Sequence, residues 1–356
     1  MNTYVKENTR EFELSGINYW HKKGYTGNGV KIANMESCNI DAWYLKSQPK
    51  DPFNHRRNKL DNAHGNQTIN VLSQVAPDAD FYILPTSGSY GNEYAKGDFP
   101  EKAIPFMISE GIHLVNASLI GINNDTLNKI IKNAQENGVT FVSSAGNESD
   151  KGTSGYVNSG LWISVGAVHM NKKGDINLAS YSSIGEAVDF VQFSGIYVND
   201  VRPSYKDRTI YVTGTSFSSP ILCGMLALVQ QLFIEKTGQP LSQTKLYEFI
   251  LDNTIDLGEM GKDVEYGHGL FILPNPENID INKYMDKAIN KPIDDNKESD
   301  NMEFKDINKT DWFYNAIKWA TEQGIVNGYK DGTFRPNQPM TRAEYCQVEY
   351  NKIHKK

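Results

Sequence analysis

Ser216 lies in the run Gly214-Thr215-Ser216-Phe217-Ser218-Ser219-Pro220, which leads straight into the apolar stretch ILCGMLALVQQLF. A serine between small residues at the start of a buried helix sits where free backbone N–H groups and a partial positive charge favour a developing oxyanion. Taken alone, Gly-Thr-Ser reads equally as a turn and a helix cap. Two other runs give it company: Asp61-Asn62-Ala63-His64-Gly65 upstream, and Ser144-Ala145-Gly146-Asn147-Glu148 after a strand-like segment. Hydrolysis through a serine needs a nucleophile, a base, a group that orients the base, and donors for the oxyanion.

The elements that must position these residues follow from apolar patterning. Residues 30–33, 81–84, 114–118, 140–144 and 161–165 read as short buried strands, with helical candidates near 101–110 and 125–137 between them. Such alternation predicts a mainly parallel sheet with helices on both faces. Residues 217–233 are apolar almost all round, so that helix is expected to run through the interior. The pattern closes at Tyr266-Gly267-His268-Gly269-Leu270, and from about 275 to 303 the composition turns polar, as in a linker.

A chain of 356 residues has room for one sizeable α/β domain and a small one. Its net charge of −7, with Lys and Arg scattered, argues against nucleic acid or an anionic membrane surface as partner. No apolar run approaches the length expected of a membrane span, and the N-terminal MNTYVKENTREFELSG lacks the apolar core of a signal peptide. Cys38, Cys223 and Cys346 are odd in number, far apart and without metal-ligand spacing, so free thiols are expected. Cys223 reads as helix packing, and Cys38 as a small core filler or a source of thiol sensitivity.

The three runs, in their order of acid, histidine and serine, resemble the subtilisin-like serine proteases, and Tyr266 to Leu270 matches that family's Y-G-x-G-L ending. The resemblance implies a doubly wound α/β domain and an endopeptidase acting on peptide or protein substrates. It assigns Ser216 as nucleophile, His64 as base, and the Asn147 amide with the Ser216 N–H as the oxyanion hole. The family's H-G-T-H-V-A-G reads here His64-Gly65-Asn66-Gln67-Thr68-Ile69-Asn70, without the second histidine, which is no part of the triad. The orienting acid falls on Glu36, in Glu36-Ser37-Cys38-Asn39-Ile40-Asp41, where the family has an aspartate followed by a glycine two residues on. Glu36 is one methylene longer and one residue is inserted after it. Asn39 can supply a left-handed conformation there, and Asp41 is the fallback carboxylate. Ala117-Ser118-Leu119 resembles the family's M-S-L-G substrate strand, with Ile120 intervening before Gly121, so Ser118, Leu119 and Gly121 are the substrate-lining candidates. Only Val71 to Gln74 separate the histidine helix from Val75-Ala76-Pro77-Asp78, so the family's calcium-binding loop is expected to be deleted. Neither metal nor cofactor is expected, nor a propeptide, since family-like sequence begins by Ser15-Gly16-Ile17.

A second resemblance follows. Phe304-Lys305-Asp306, Trp312, Ala316-Ile317, Gly324-Ile325, Gly328-Tyr329, Asp331 to Phe334 and Thr341 to Glu344 resemble one S-layer homology repeat, a small all-α domain in which Thr341 caps the second helix. The domains are therefore expected at 1–274 and 304–356, joined by a linker at 275–303. Arg342 matches the family's polymer-contacting position, implying secondary cell-wall polymer as a partner and a cell-surface or secreted setting. Two other readings stand beside the peptidase. One is a catalytically impaired pseudoprotease that binds peptide or protein, suggested by Glu36 and the altered run after His64. The other is a cell-wall-binding protein whose important part is the tail.

Overall fold

Strands β1 (Lys31–Asn34), β2 (Asp80–Ile83), β3 (Leu114–Ala117), β4 (Thr140–Ser144) and β5 (Ile163–Met170) pair in parallel, in the order β2-β1-β3-β4-β5. The computed structural model describes residues 5–36, 42–53, 63–84, 102–121, 123–200, 202, 205, 208–285, 304–308, 311, 313–322, 325–329, 331–338 and 340–354. Beyond β5 the sheet continues through β7 (Phe190–Phe193) and β11 (Leu270–Phe271), both parallel, to antiparallel β10 (Thr254–Ile255), while β6 (Ile176–Leu178) folds back on β5. A separate hairpin joins β8 (Ile196–Asn199) to β9 (Thr209–Val212). The helices are α1 (Thr9–Leu14), α2 (Ile17–Lys22), α3 (Ala63–Val75), α4 (Ile104–Glu110), α5 (Asp125–Glu136), α6 (Thr215–Thr237), α7 (Gln243–Asp252), α8 (Ile281–Tyr284), α9 (Tyr314–Glu322) and α10 (Arg342–His354).

Because successive strand side chains point to opposite faces, each strand feeds two cores. Ile32, Leu114 and Val142 join the cluster built on α3, α6 and α7. Their neighbours Ala33, Val115 and Phe141 join the cluster under α4 and α5. The chain runs from β1 to β2 on one side and to β3 on the other, so the carboxyl ends of β1 and β3 flank a topological switch point, where ligand sites of open α/β sheets gather.

Helix α6 is buried from Thr215 to Phe233. Among the described residues it alone is long and apolar enough to cross a membrane, against the expectation that no run reaches that length, yet 94% of its apolar window is buried inside the fold. Its length serves the core. Where α6 crosses α3, Gly224 admits Val75 so closely that an added Cβ would stand 2.7 Å from Val75 Cβ. Gly224→Ala is therefore expected to lower the melting temperature, although alanine is the better helix former by roughly 1 kcal/mol. Overpacking a filled core costs about 1–3 kcal/mol, and thermal unfolding of the variant checks the sign.

The chain divides into two compact units, Met1–Lys287 and Ala288–Lys356. Residues 275–285, polar enough to read as linker, pack onto the first unit. Tyr284 is buried with its ring 5.0 Å from Phe249, and its hydroxyl bonds Asp252 Oδ2 at 2.7 Å. In the second unit, Thr341 and Glu344 cap α10 reciprocally: Glu344 N–H donates to Thr341 Oγ1 at 3.2 Å and Thr341 N–H to Glu344 Oε2 at 2.7 Å. Trp312 and Gly324 lie outside the described residues.

Candidate active site

Each candidate residue sits just beyond the carboxyl end of a strand or in the first turn of a helix. Glu36 follows β1, Ser118 follows β3, Asn147 follows β4, His64 opens α3 and Ser216 opens α6. Glu36 is 7% exposed, and its Oε2 lies 2.7 Å from Nδ1 of His64, whose side chain is 42% exposed. The longer carboxylate therefore reaches the imidazole. A carboxylate only accepts, so Nδ1 carries the proton and Nε2 keeps its lone pair free. Burial pulls the His64 pKa down, but the charge and hydrogen bond of Glu36 outweigh it, leaving the pKa above the ordinary histidine value. Glu36 Oε1 is buried without a hydrogen-bond partner among the described residues. Ser37 to Asp41, and with them Cys38, Asn39 and the fallback Asp41, lie outside the described residues.

The His64 ring lies 5.8 Å, centroid to centroid, from Phe217, the residue after Ser216. Ser216 Oγ donates to the carbonyl of Ser118 at 3.3 Å, and no hydrogen bond joins it to His64 in this rotamer. As a first-turn residue of α6, Ser216 keeps an N–H with no intrahelical acceptor. The exposed Asn147 is pinned by its oxygen: Oδ1 accepts from Thr215 N–H at 2.9 Å and from Thr215 Oγ1 at 3.0 Å. That fixes which end of the amide is which and turns Nδ2 outward as a donor. Thr215 Oγ1 also accepts from Gly146 N–H at 3.3 Å, tying the strand-end turn to the helix start.

The substrate-lining candidates divide. Ser118 touches Ser216 directly. Leu119 is half-buried and Ile120 exposed beside it, whereas Gly121 is packed so tightly that a Cβ there would overlap Tyr156 at 1.8 Å. Cys223 is buried, with its thiol pKa pushed up by burial, and Cys346 is exposed; both are free. Arg342 opens α10 in the second unit.

Sequence reasoning missed several residues that hold this constellation. Buried Asn34, Thr68, Asn116 and Ser219 form a polar strut from α3 through β1 and β3 to α6. Asn34 donates to Thr68 Oγ1 at 3.2 Å, Asn116 to Asn34 Oδ1 at 2.9 Å, and Ser219 to Asn116 Oδ1 at 2.7 Å. A polar asparagine closing an apolar strand run was the signal for Asn34.

With this geometry in place, likeness to known proteins decides the family. Residues 31–269 match the sequence profile of the subtilase family. The chain belongs to the subtilase family of serine proteases. Residues 303–346 match the S-layer homology domain. The chain is 27% identical over 297 residues to the minor extracellular protease Epr of Bacillus subtilis, covering 75% of this chain and 42% of that protein's length. Over 279 residues it is 26% identical to an intracellular serine protease of Paenibacillus polymyxa, covering 71% and 82% of the two chains. Among solved structures, a lanthipeptide protease superposes with a TM-score of 0.60 at 18% identity, over 75% of this subtilase and 93% of that chain. Fervidolysin from Fervidobacterium pennivorans gives 0.61 at 18% identity, over 75% and 45%. These two likenesses establish the mainly parallel fold with its flanking helices.

Proposed function

We propose that this subtilase is an active serine endopeptidase working through a Ser216–His64–Glu36 triad. The observation that carries the reading is the 2.7 Å bond from His64 Nδ1 to Glu36 Oε2. It holds the imidazole in the tautomer whose Nε2 can take a proton. Ser216 Oγ releases the Ser118 carbonyl, gives its proton to His64 Nε2 and attacks the scissile carbonyl carbon. Glu36 stabilises the imidazolium that forms. Charge gathering on the carbonyl oxygen is met by the Ser216 N–H and Asn147 Nδ2. His64 then protonates the leaving amine, and water, activated by the same imidazole, releases the acyl group from Ser216. Ser118 and Leu119 border the bound peptide in this reading.

Release of peptides from an unfolded protein by the full chain tests the activity; failure of a folded preparation to release any counts against it. In the same assay Asn147→Ala is expected to lower kcat by about 10²–10³-fold, the magnitude known for a subtilisin's oxyanion donor.

The S-layer homology domain supports attachment to anionic cell-wall polymer, with the Arg342 guanidinium as one contact. Purified Gram-positive cell walls are expected to pull down the full chain, more weakly after Arg342→Ala and not at all once 288–356 are removed. Peptidase activity is expected to survive that truncation, because Glu36, His64, Asn147 and Ser216 all lie in the first unit. Unchanged pull-down by the truncated chain rules the attachment out.

A further inference from the structure

Behind the nucleophile turn lies a hydrogen-bonded cluster for which the triad chemistry has no use. The Tyr181 hydroxyl stands 3.0 Å from His169 Nε2, 2.8 Å from Ser194 Oγ and 3.1 Å from the Gly214 nitrogen. Ser194 Oγ lies 3.0 Å from both the nitrogen and the carbonyl oxygen of Gly214. His169 Nδ1 faces the Ser194 carbonyl at 3.0 Å. A carbonyl only accepts, so Nδ1 bears a hydrogen, while the Tyr181 hydroxyl donates its one hydrogen to Ser194 Oγ. The tyrosine lone pairs then face the Gly214 N–H, and the Ser194 hydroxyl donates to the Gly214 carbonyl. Both polar groups of one peptide position are clasped by side chains from the turn after β6 and the end of β7.

Gly214 has reason to be clasped. It is the N-cap of α6 with φ 133° and ψ 153°, a conformation side chains oppose, and it has no side chain of its own to cap the helix. Ser216 lies two residues further on. Thr215, between them, is held separately by Asn147.

We propose that Tyr181 and Ser194 are positioning residues for the nucleophile. By fixing the Gly214 peptide groups they set where Ser216 stands between His64 and Asn147. The inference rests on the reading of Ser216 as nucleophile. A cluster that only satisfies buried polar groups would contribute to stability alone, and the two roles separate kinetically.

The test is inactivation of the full chain by a fluorophosphonate across probe concentrations, resolving the apparent affinity KI from the limiting rate kinact, with the adduct mapped by mass. Tyr181→Phe and Ser194→Ala each leave the Gly214 N–H one acceptor, so each lowers kinact by about threefold with KI unchanged. The double variant removes both acceptors, and its loss reaches about 10²-fold, beyond the product of the single losses. Unchanged kinact in both single variants, even with lowered melting temperatures, overturns the clasp, as does a double loss no greater than the product. The single variants decide the matter whether or not the double variant folds. If the wild-type chain is not labelled at Ser216, the nucleophile assignment and the clasp fall together. Wild-type labelling with unaffected single variants overturns the clasp alone.

Discussion

Replacing Ser216 with alanine is expected to reduce peptide hydrolysis by about 10⁶-fold, the size of loss known for a subtilisin nucleophile. The change deletes one oxygen. In the resting structure that oxygen makes a single long bond, 3.3 Å to the Ser118 carbonyl, and a bond of this kind contributes about 1 kcal/mol at most. Thr215, Gly214 and Asn147 keep their own hydrogen bonds, so the turn should hold its shape. Steady-state hydrolysis and thermal unfolding, measured on the same preparation, should therefore diverge: activity lost, melting temperature nearly unchanged. Retained hydrolysis would place the nucleophile elsewhere.

Glu36→Gln is the second large effect, expected at about 10⁴-fold in kcat, the loss seen when the orienting acid of a serine-protease triad is replaced by its amide. Glutamine preserves the length that lets residue 36 reach His64, but it carries no charge to stabilise the imidazolium, and its NH₂ can hold the ring in the wrong tautomer. The pH profile gives an independent sign. Glu36 holds the His64 pKa above the ordinary histidine value, and only the neutral ring can act as base. Activity in the native enzyme is thus lost as pH falls through that raised pKa. Removing the carboxylate lowers it, so the acid limb of the residual activity should move to lower pH. An unmoved limb with undiminished turnover would show that Glu36 does not orient His64.

Much of this architecture was legible in the sequence because it is local. Parallel strands announce themselves as short apolar runs, and α6 as an unbroken apolar stretch behind Gly214-Thr215-Ser216. Whether Glu36 could meet His64 was not legible. That depends on β1 ending at Asn34 and delivering residue 36 beside the start of α3, a matter of three-dimensional register. The run after His64 shows a different limit. Asn66, Thr68 and Asn70 read as departures from the family pattern, yet each is buried with a polar partner. Tyr44 bonds Asn66 Oδ1 at 2.5 Å, Asn34 bonds Thr68, and Gln74 donates to Asn70 Oδ1 at 3.0 Å. Gln74 in turn accepts from Asn8 at 2.8 Å, a residue remote in the chain. Most buried polar groups find such partners, and partners brought together from distant parts of the chain leave no trace in spacing. The Tyr181–Ser194 clasp is hidden for the same reason, its members lying 33 and 20 residues before Gly214. Tyr284 escaped notice because a single anchoring aromatic does not change the polar composition around it.

The measurement that bears most directly on the triad is fluorophosphonate labelling of the full chain, followed by peptide mapping of the adduct. The phosphonyl group reports an activated serine and requires no knowledge of the natural substrate. The account predicts one adduct, on Ser216, formed rapidly in the native chain and lost in His64→Ala, whose serine has no base to receive its proton. An unlabelled native chain, an adduct on another residue, or undiminished labelling of Ser216 in His64→Ala would contradict it.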